Sequence, residues 1–320
     1  MQKNSEKVFT DDGGSVMVVY FGKINLCSNQ IYDVIDKKST LSCVLNDLEK
    51  SFLDNTVYEE EKYVKVDGTD TFETTKYIMH ITAKEDSIFE GYIYKDAIIH
   101  YKVYNEREKK FDWKQVVSNE SVNFYFDVQA ELVGYLTANR FGYSEFLRVF
   151  QGVINQGLEN EKSNYRFTVD QYSEGLDIDD IRNELKQLGD IHTLKFKYQP
   201  PNGMDEEMER LEEEADTLLN RYKNANLSTK CVTLTSVGPL GINLNSQEVE
   251  ELLNETCINK SVDTKDATRY GYALVEATDN YGNKFTTAEK KPVKREISNI
   301  IEFSDACRKV IRKRNVDKNE

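Results

Sequence analysis

Four strand-length runs between residues 57 and 104 constrain the fold more than any other feature of this sequence. The runs lie at 57–66, 76–82, 87–94 and 97–104. They are rich in Tyr, Ile and Val, which favour strands, and the polar or glycine-bearing turns between them have the lengths of hairpin connections. The sequence therefore predicts an antiparallel meander, which a charged loop at 106–110 closes.

Helical periodicity flanks this meander on both sides. After the start signal Ser39-Thr40, apolar residues recur at helical spacing, at Leu41, Val44, Leu45, Leu48 and Phe52. From about 120 to 200, strands alternate with amphipathic helices in the order ββαβαβ, and helices packed on one face of a sheet satisfy this order most simply. The sequence therefore predicts an α+β fold with two lobes of mixed or antiparallel sheet and packed helices.

Changes in pattern divide the chain into three predicted segments. Residues 1–118 form a β-rich N-terminal segment, 119–202 the ββαβαβ segment, and 203–320 a C-terminal α+β domain. This last domain is predicted to contain a long acidic helix at 204–223, a hairpin at 270–287 and a basic helix at 296–314.

No catalytic motif stands out in this chain, so no enzyme activity and no cofactor are predicted. The five cysteines are odd in number and widely spread, without a C-x-x-C pair, which predicts reduced thiols. His80, His100 and His192 lie far apart in strand-like stretches, which favours core or sheet-face positions over a metal site. The first fifteen residues lack a signal-peptide pattern, and no apolar run reaches the length of a membrane span. A cytoplasmic location is therefore predicted.

The distribution of charge gives the strongest functional indication. The chain has a formal net charge of −14. Between residues 290 and 318, ten Lys or Arg oppose four acidic residues, so this basic tail is about +6 and the remainder about −20. Clustered cations gain affinity for phosphates by counterion release, whereas the acidic body is repelled by them. The basic tail is therefore predicted to bind the DNA phosphate backbone without reading bases.

Eight cations of the basic tail are the predicted nucleic-acid-binding residues. They are Lys290, Lys291, Lys294, Arg295, Arg308, Lys309, Arg312 and Lys313. The last four are predicted on one side of an amphipathic helix whose other side is apolar. A purely structural interpretation stays open, because cations in the last turn of a helix also complement its dipole.

Two other functions stay open from the residues alone. The acidic body and the amphipathic helix at 204–223 suggest a protein–protein interaction subunit, which the resemblance described below would assign to a defence complex. A metal-dependent nuclease needs carboxylates at strand ends near a lysine. The residues that satisfy this pattern loosely are Asp127, Glu131, Asp170 and Glu174, with Lys195 and Lys197. In that hypothesis the enzyme uses Asp127 or Asp170.

Three stretches resemble the Rex-type phage-exclusion proteins (the RexA family) and related bacterial phage-defence proteins. They are Phe124-Tyr125-Phe126 to Leu132-Val133-Gly134-Tyr135 with Arg140-Phe141-Gly142, the strand Leu194-Lys195-Phe196-Lys197, and the hairpin at 277–286 before the basic helix. The similarity is in the order of elements from residue 124 onward. It implies a DNA-binding, dimeric protein of antiviral defence that acts in phage exclusion or abortive infection. A membrane or phage protein is the further partner that it implies.

Overall fold

The computed structural model describes residues 16–36, 38–66, 69–138, 140–201, 217–257 and 262–317. Its strands pair in antiparallel fashion and helices pack on them, so the predicted α+β class is confirmed. The described strands are β1 (Met17–Leu26), β2 (Val57–Val66), β3 (Thr69–Glu85), β4 (Ile88–Asn105), β5 (Lys110–Asp127), β6 (Leu132–Leu136), β7 (Phe167–Gln171), β8 (Ile191–Tyr198), β9 (Lys230–Thr235), β10 (Ala273–Asp279), β11 (Lys284–Thr286) and β12 (Lys294–Ile297). The described helices are α1 (Ile31–Ile35), α2 (Leu41–Ser51), α3 (Tyr143–Asn160), α4 (Ile178–Leu188), α5 (Thr217–Asn224), α6 (Gln247–Asn254), α7 (Thr264–Arg269) and α8 (Phe303–Asp317).

The larger sheet has the strand order β12-β1-β6-β5-β4-β3-β2, and β7 also pairs with β1. Strand β6 lies along one side of β1, while two short strands share the other side. Strand β12 pairs with residues 17–20 of β1, and β7 pairs with residues 22–26. Strand β1 therefore joins strands that come from distant parts of the sequence.

Strand β12 corrects the predicted start of the C-terminal helix. The sequence predicts this helix from Glu296, but Lys294–Ile297 extend the larger sheet and α8 begins at Phe303. The predicted start is therefore wrong. Three of the four β12 residues are exposed and only Ile297 is buried, so the strand carries no alternating apolar pattern. An edge strand is held by backbone hydrogen bonds to its single neighbour. Because these bonds do not involve side chains, the pattern of the sequence does not predict them.

The smaller sheet has the order β11-β10-β8-β9. Its β10–β11 hairpin confirms the hairpin predicted at 270–287. The turn is stabilised by Asp279, whose Oδ1 accepts hydrogen bonds from the backbone N–H groups of Tyr281 and Asn283, both at 2.8 Å. A short polar side chain that binds its own turn is the reason that such sequences reverse direction.

Helices α2 and α3 cover one face of the larger sheet. The predicted start of α2 is confirmed, because the Thr40 side chain accepts a hydrogen bond from the backbone N–H of Cys43. Just after α2, the Phe52 ring makes edge contacts with Phe89 at 5.0 Å and Phe126 at 5.2 Å between ring centroids. The same apolar core continues into the smaller sheet, for example at Phe196. One continuous core therefore connects both sheets.

Helix α8 packs on the opposite face of the larger sheet, over β1, β5 and β6. Its Phe303, Cys307, Val310 and Ile311 are buried and form a second core cluster with residues of these strands. Close approach depends on Gly134 of β6, because a Cβ atom there would lie 2.4 Å from the Cys307 sulfur. Burial raises the pKa of the Cys307 thiol well above its ordinary value.

The two sheets cut across the three predicted segments. Strand β5 runs from Lys110 to Asp127 and so crosses the predicted boundary at 118/119, while β12 brings the C-terminal segment into the larger sheet. The division into three domains stays a prediction. Most of the predicted acidic helix lies outside the described residues, which resume with α5 at Thr217.

Candidate functional site

The first two predicted cations, Lys290 and Lys291, bind acidic residues of helix α4. The Nζ atom of Lys290 lies 2.6 Å from Glu184 Oε2, and that of Lys291 lies 2.9 Å from Asp180 Oδ2. The hydrogen bond to Asp180 raises the pKa of the Lys291 ammonium. Both side chains therefore fix the chain to α4, and a phosphate would have to compete with these carboxylates.

Lys294 and Arg295 project from opposite faces of the larger sheet. Adjacent residues of a strand alternate in direction, and residues paired across antiparallel strands share a face. Arg295 is paired with Val19, which belongs to the core under α8, whereas Lys294 is paired with Tyr20, which packs against the core under α2 and α3. These two cations therefore cannot contact one phosphate group together.

On α8, Arg308 is bound by the sheet beneath it. Its Nε donates to Tyr125 Oη at 3.3 Å, and its guanidinium lies 3.5 Å from Glu85 and 3.8 Å from Glu90. The hydrogen bond to Tyr125, together with the nearby carboxylates, raises the pKa of Arg308 further. Lys309 pairs with Asp305 one turn earlier, at 2.8 Å.

Arg312 is exposed, and across the described part of the chain no carboxylate lies within 4 Å of its guanidinium or of the Lys294 and Arg295 side chains. The side chain of Lys313 lies outside the described residues.

A surface pocket beside Arg312 has mixed charge. It is lined by Glu85, Asp86, Ile88, Tyr125, Asp127, Arg308, Ile311 and Arg312. The structure thus distributes the predicted cations over three regions and places acidic groups among them.

Of the residues in the nuclease hypothesis, the structure brings Asp170 near Lys197, and the described carboxylates do not form one cluster. Glu131 pairs with Lys23 at 2.7 Å, and neither side chain is exposed to solvent. Asp127 accepts a hydrogen bond from the backbone N–H of Ala130 in the turn before β6. Burial raises the pKa of Asp170, and the nearby Lys197 opposes that shift. Among the residues that the structure describes, no three His, Cys, Asp or Glu side chains come together as metal ligands.

Strands β2–β5 carry an exposed apolar surface that was not predicted from the sequence, which we call the open sheet face. It carries seven exposed apolar side chains: Val57, Tyr63, Phe72, Ile98, Tyr104, Phe111 and Val117. Cross-strand pairing places Tyr63 beside Phe72, Ile98 beside Val117, and Tyr104 beside Phe111. Within each hairpin, strand alternation directs these side chains away from the face that α2 and α3 cover. On the other face, α8 packs over β1, β5 and β6 and reaches Glu85 of β3 and Glu90 of β4.

Aromatic pairs dominate the open sheet face. The ring centroids of Tyr63 and Phe72 are 5.5 Å apart, and those of Tyr104 and Phe111 are 5.3 Å apart. Phe72 is 70% exposed and Phe111 is 62% exposed. Large exposed aromatic rings on one face of a sheet are typical of an interaction surface. The signal in the sequence was the run of Tyr, Phe and Val at 57–117 without a helix nearby to cover it.

The strands under this face end in two hairpin arms of opposite charge. Pairing between β3 and β4 stops at Lys76 and Asp96, whereas β2–β3 and β4–β5 stay paired beyond that point. The acidic arm, residues 57–75, has six acidic residues and two lysines. The basic arm, residues 97–119, has five Lys or Arg and three acidic residues. The arms therefore carry about −4 and +2.

Comparison with protein families shows that residues 53–312 match the domain of unknown function DUF4747. The chain belongs to the DUF4747 family. No curated protein matches it. The DUF4747 region begins just before β2 and ends within α8, so it includes both arms, the open sheet face and the basic tail as far as Arg312. In the described part of this DUF4747 chain, no helix has the length and apolar character to cross a bilayer.

Proposed function

We propose that this DUF4747 protein is an interaction protein of bacterial antiviral defence that binds a protein partner through the open sheet face. The observation that carries the binding role is the set of seven exposed apolar side chains on one face of β2–β5. Large exposed apolar side chains on two neighbouring hairpins are typical of a surface that a partner covers. The antiviral role is supported by the resemblance to the Rex-type proteins alone.

Charge favours a protein over nucleic acid as the partner of this face. The two arms together carry about −2, so they do not attract a polyanion. Aromatic side chains at the centre of an interface contribute much of the affinity in protein complexes. Phe72 and Phe111, from different arms, are the residues expected to contribute most here.

The test is a phage challenge of bacteria that express the protein. We expect the double variant Phe72→Ser/Phe111→Ser to lose protection while keeping the melting temperature of the wild type, because both rings are largely exposed. The matched control is Tyr281→Ser, which removes an 88% exposed ring from the β10–β11 turn. Protection by the double variant equal to that of the wild type would exclude the open sheet face. Absence of protection by the wild type against every phage tested would contradict the antiviral role.

Non-specific binding of DNA phosphates by the basic tail is a second candidate. It is supported by Lys294, Arg295 and Arg312, the predicted cations without a carboxylate within 4 Å among the described residues. The test measures binding of a fluorescent DNA duplex at several salt concentrations.

The DNA-binding variant changes Lys294, Arg295 and Arg312 to Glu. The control changes three exposed lysines elsewhere, Lys186, Lys265 and Lys284, to Glu and so alters net charge equally. We expect a salt slope that the first variant flattens and the control preserves. Equal slopes in both variants, or no binding by the wild type at low salt, would reject this candidate.

A further inference from the structure

We infer that the protein partner adds an extended, acidic segment as a further β-strand to the open edge of β5 at residues 110–122. This inference rests on the proposed function, because it names the kind of segment with which the partner binds beside the open sheet face. It draws on three observations: the length of this edge, the exposure of both faces of β5, and the charge of the basic arm.

Strand β5 has a long edge that no described strand covers. On one side β5 pairs with β4 along its whole length, but on the other side β6 pairs only with residues 124–127. In the described part of the chain, about half of the backbone N–H and C=O groups of residues 110–122 therefore have no strand partner. At about 3.3 Å per residue this edge is roughly 40 Å long, which is enough for an added strand of ordinary length.

The sequence of this edge has few of the features that prevent strand addition. Natural edge strands are commonly protected by charged residues, prolines or bulges. Strand β2, at one end of the larger sheet, has four consecutive charged residues at 59–62. In contrast, β5 has no proline, its register with β4 is unbroken, and residues 115–119 carry no charge. An added strand is therefore favoured on β5 over β2.

Both faces of β5 are bare in the middle of this edge. Val116 is 46% exposed and Val117 is 60% exposed. Since neighbouring residues of a strand point to opposite faces, neither face is covered at this place. A strand added beside β5 alternates its own side chains in the same way, so it shields both valines. A surface that docked on one face alone would shield only one of them.

Strand β4, the other strand of the basic arm, does not offer an equivalent edge. Pairing between β3 and β4 stops at Asp96, and beyond it the outer edge of β4 faces the acidic arm. The His100 ring of β4 contacts the Glu73 carboxylate of β3 across this gap. The edge of β5 lies on the other side of the basic arm, away from this contact, so it is the side that a partner segment can reach.

The charge of the basic arm favours an acidic segment. Lys102 and Lys114 are exposed and lie on opposite faces of the β4–β5 ribbon. Among the residues that the structure describes, no carboxylate lies within 4 Å of either ammonium group. The nearby Asp112 already accepts a hydrogen bond from the Asn105 amide at 2.7 Å. Carboxylates on an added strand can therefore pair with a lysine on either face.

The experiment measures the binding of fluorescent peptides to the full chain by fluorescence anisotropy. The first probe has about twelve residues in which valine and glutamate alternate, so that it can pair along the open edge. The second probe has the same side chains but carries methyl groups on its backbone nitrogens, so it cannot donate hydrogen bonds to β5. We expect the first probe to bind and the methyl groups to raise its Kd at least about tenfold, because several backbone hydrogen bonds are lost. Absence of binding by the first probe up to about 1 mM, or equal binding by both probes, would overturn the inference.

Hydrogen exchange and charge reversal then locate the bound probe. Exchange of the backbone amides is expected to slow in residues 110–122, and slowing confined to β2 would overturn the inference. Lys114→Glu is expected to raise the Kd of the first probe about three- to tenfold, because it removes a cross-strand ion pair and introduces a repulsion. The matched control Lys186→Glu changes an exposed lysine of α4 and the net charge equally, and it should bind the probe as the wild type does. Equal effects of the two substitutions would overturn the acidic character of the segment.

The outcomes separate this inference from the proposed function. If the first probe does not bind but Phe72→Ser/Phe111→Ser abolishes phage protection, strand addition is rejected while the proposed function stands. If the probe binds at residues 110–122 but the double variant protects as well as the wild type, the proposed function is rejected while the open edge of β5 remains a binding site for extended segments.

Discussion

The buried ion pair between Lys23 and Glu131 allows the sharpest quantitative prediction from this fold. The two charged atoms are 2.7 Å apart, and both side chains are fully shielded from water. At an effective dielectric constant of about 20, their attraction is about 6 kcal/mol. Lys23 also donates to the Ile24 carbonyl at 3.0 Å. This second bond remains when the carboxylate is lost, but it does not neutralise the ammonium charge.

We therefore expect Glu131→Gln to lower the free energy of unfolding at pH 7 by about 3–5 kcal/mol, the usual cost of removing one member of a buried ion pair. This is a large part of the roughly 5–15 kcal/mol that stabilises a typical protein. Lys23→Met is expected to have a similar cost. The double variant is expected to cost less than the sum of the two, with a coupling of about 1–3 kcal/mol, because it removes both members of the ion pair together.

Urea unfolding followed by circular dichroism measures these values. The matched control is the surface pair of Lys76 and Glu59, whose charged atoms are 3.0 Å apart while about half of each side chain is exposed. Glu59→Gln is expected to cost no more than about 1 kcal/mol. The reasoning is refuted if the costs of the two buried substitutions simply add, or if Glu131→Gln costs as little as Glu59→Gln.

Three further predictions concern packing, thiol chemistry and pH. Gly134→Ala is expected to lower the free energy of unfolding by about 1–3 kcal/mol, because the new methyl group would meet the Cys307 sulfur. Gly238→Ala is the control, since no neighbour lies closer than 3.8 Å to the added methyl group, and its free energy of unfolding should stay almost unchanged. Urea titration of both variants measures the difference. Cys307 is expected to resist Ellman's reagent at pH 8 until urea is added, since its thiol is buried and its pKa raised, and rapid labelling of that residue in the native protein would contradict its position. The hydrogen bond from Lys223 lowers the pKa of Asp36, so its stabilisation is fully present above the unfolded pKa of about 4 and is lost as pH falls through the lower folded value. Asp36→Asn should therefore cost up to about 1 kcal/mol at pH 7 and almost nothing near pH 2, and a pH-independent difference in urea midpoints would disagree.

Local sequence signals predicted local structure well. The helix start predicted at Thr40 is confirmed, because its side chain accepts a hydrogen bond from the backbone N–H three residues later, and Asp177 and Ser246 cap α4 and α6 in the same way. Helix capping depends on residues that are close together in the chain, so it can be predicted from the local sequence. The Asp279 turn is of the same kind.

Long-range pairing could not be predicted in the same way. The change of pattern near residue 118 predicted a segment boundary, yet β5 continues through it because β4 supplies backbone partners along its whole length. Strand β12 was not predicted for the same reason, and its last two residues were predicted as the start of the C-terminal helix. In both places the hydrogen-bonding partner lies far away in the sequence, and the side chains give little indication of it.

The candidate site shows a similar limit. The number of cations in the basic tail follows from the sequence, but their neighbours do not. Lys290, Lys291 and Arg308 contact acidic side chains from α4 or the β3–β4 hairpin, more than 100 positions away in the chain. The excess of positive charge in the basic tail therefore reflects its ion pairs with the acidic body at least as much as a surface that binds phosphates. The open sheet face was not predicted, because the alternation of side chains shows that a strand has two faces but does not show which face other elements cover.

The pairing of β12 with β1 places the two ends of the fold side by side, and this sets the order of events during synthesis. Tyr20 leaves the ribosome 274 positions before its partner Lys294, which corresponds to roughly 14–55 s at translation rates of about 5–20 residues per second. During that interval the first half of β1 has a bare hydrogen-bonding edge, and the sheet surface beneath α8 is uncovered. A ribosome that stalls before residue 294 would thus release a chain with an unsatisfied strand edge and an exposed apolar surface, the combination that chaperones and proteases recognise in incomplete proteins.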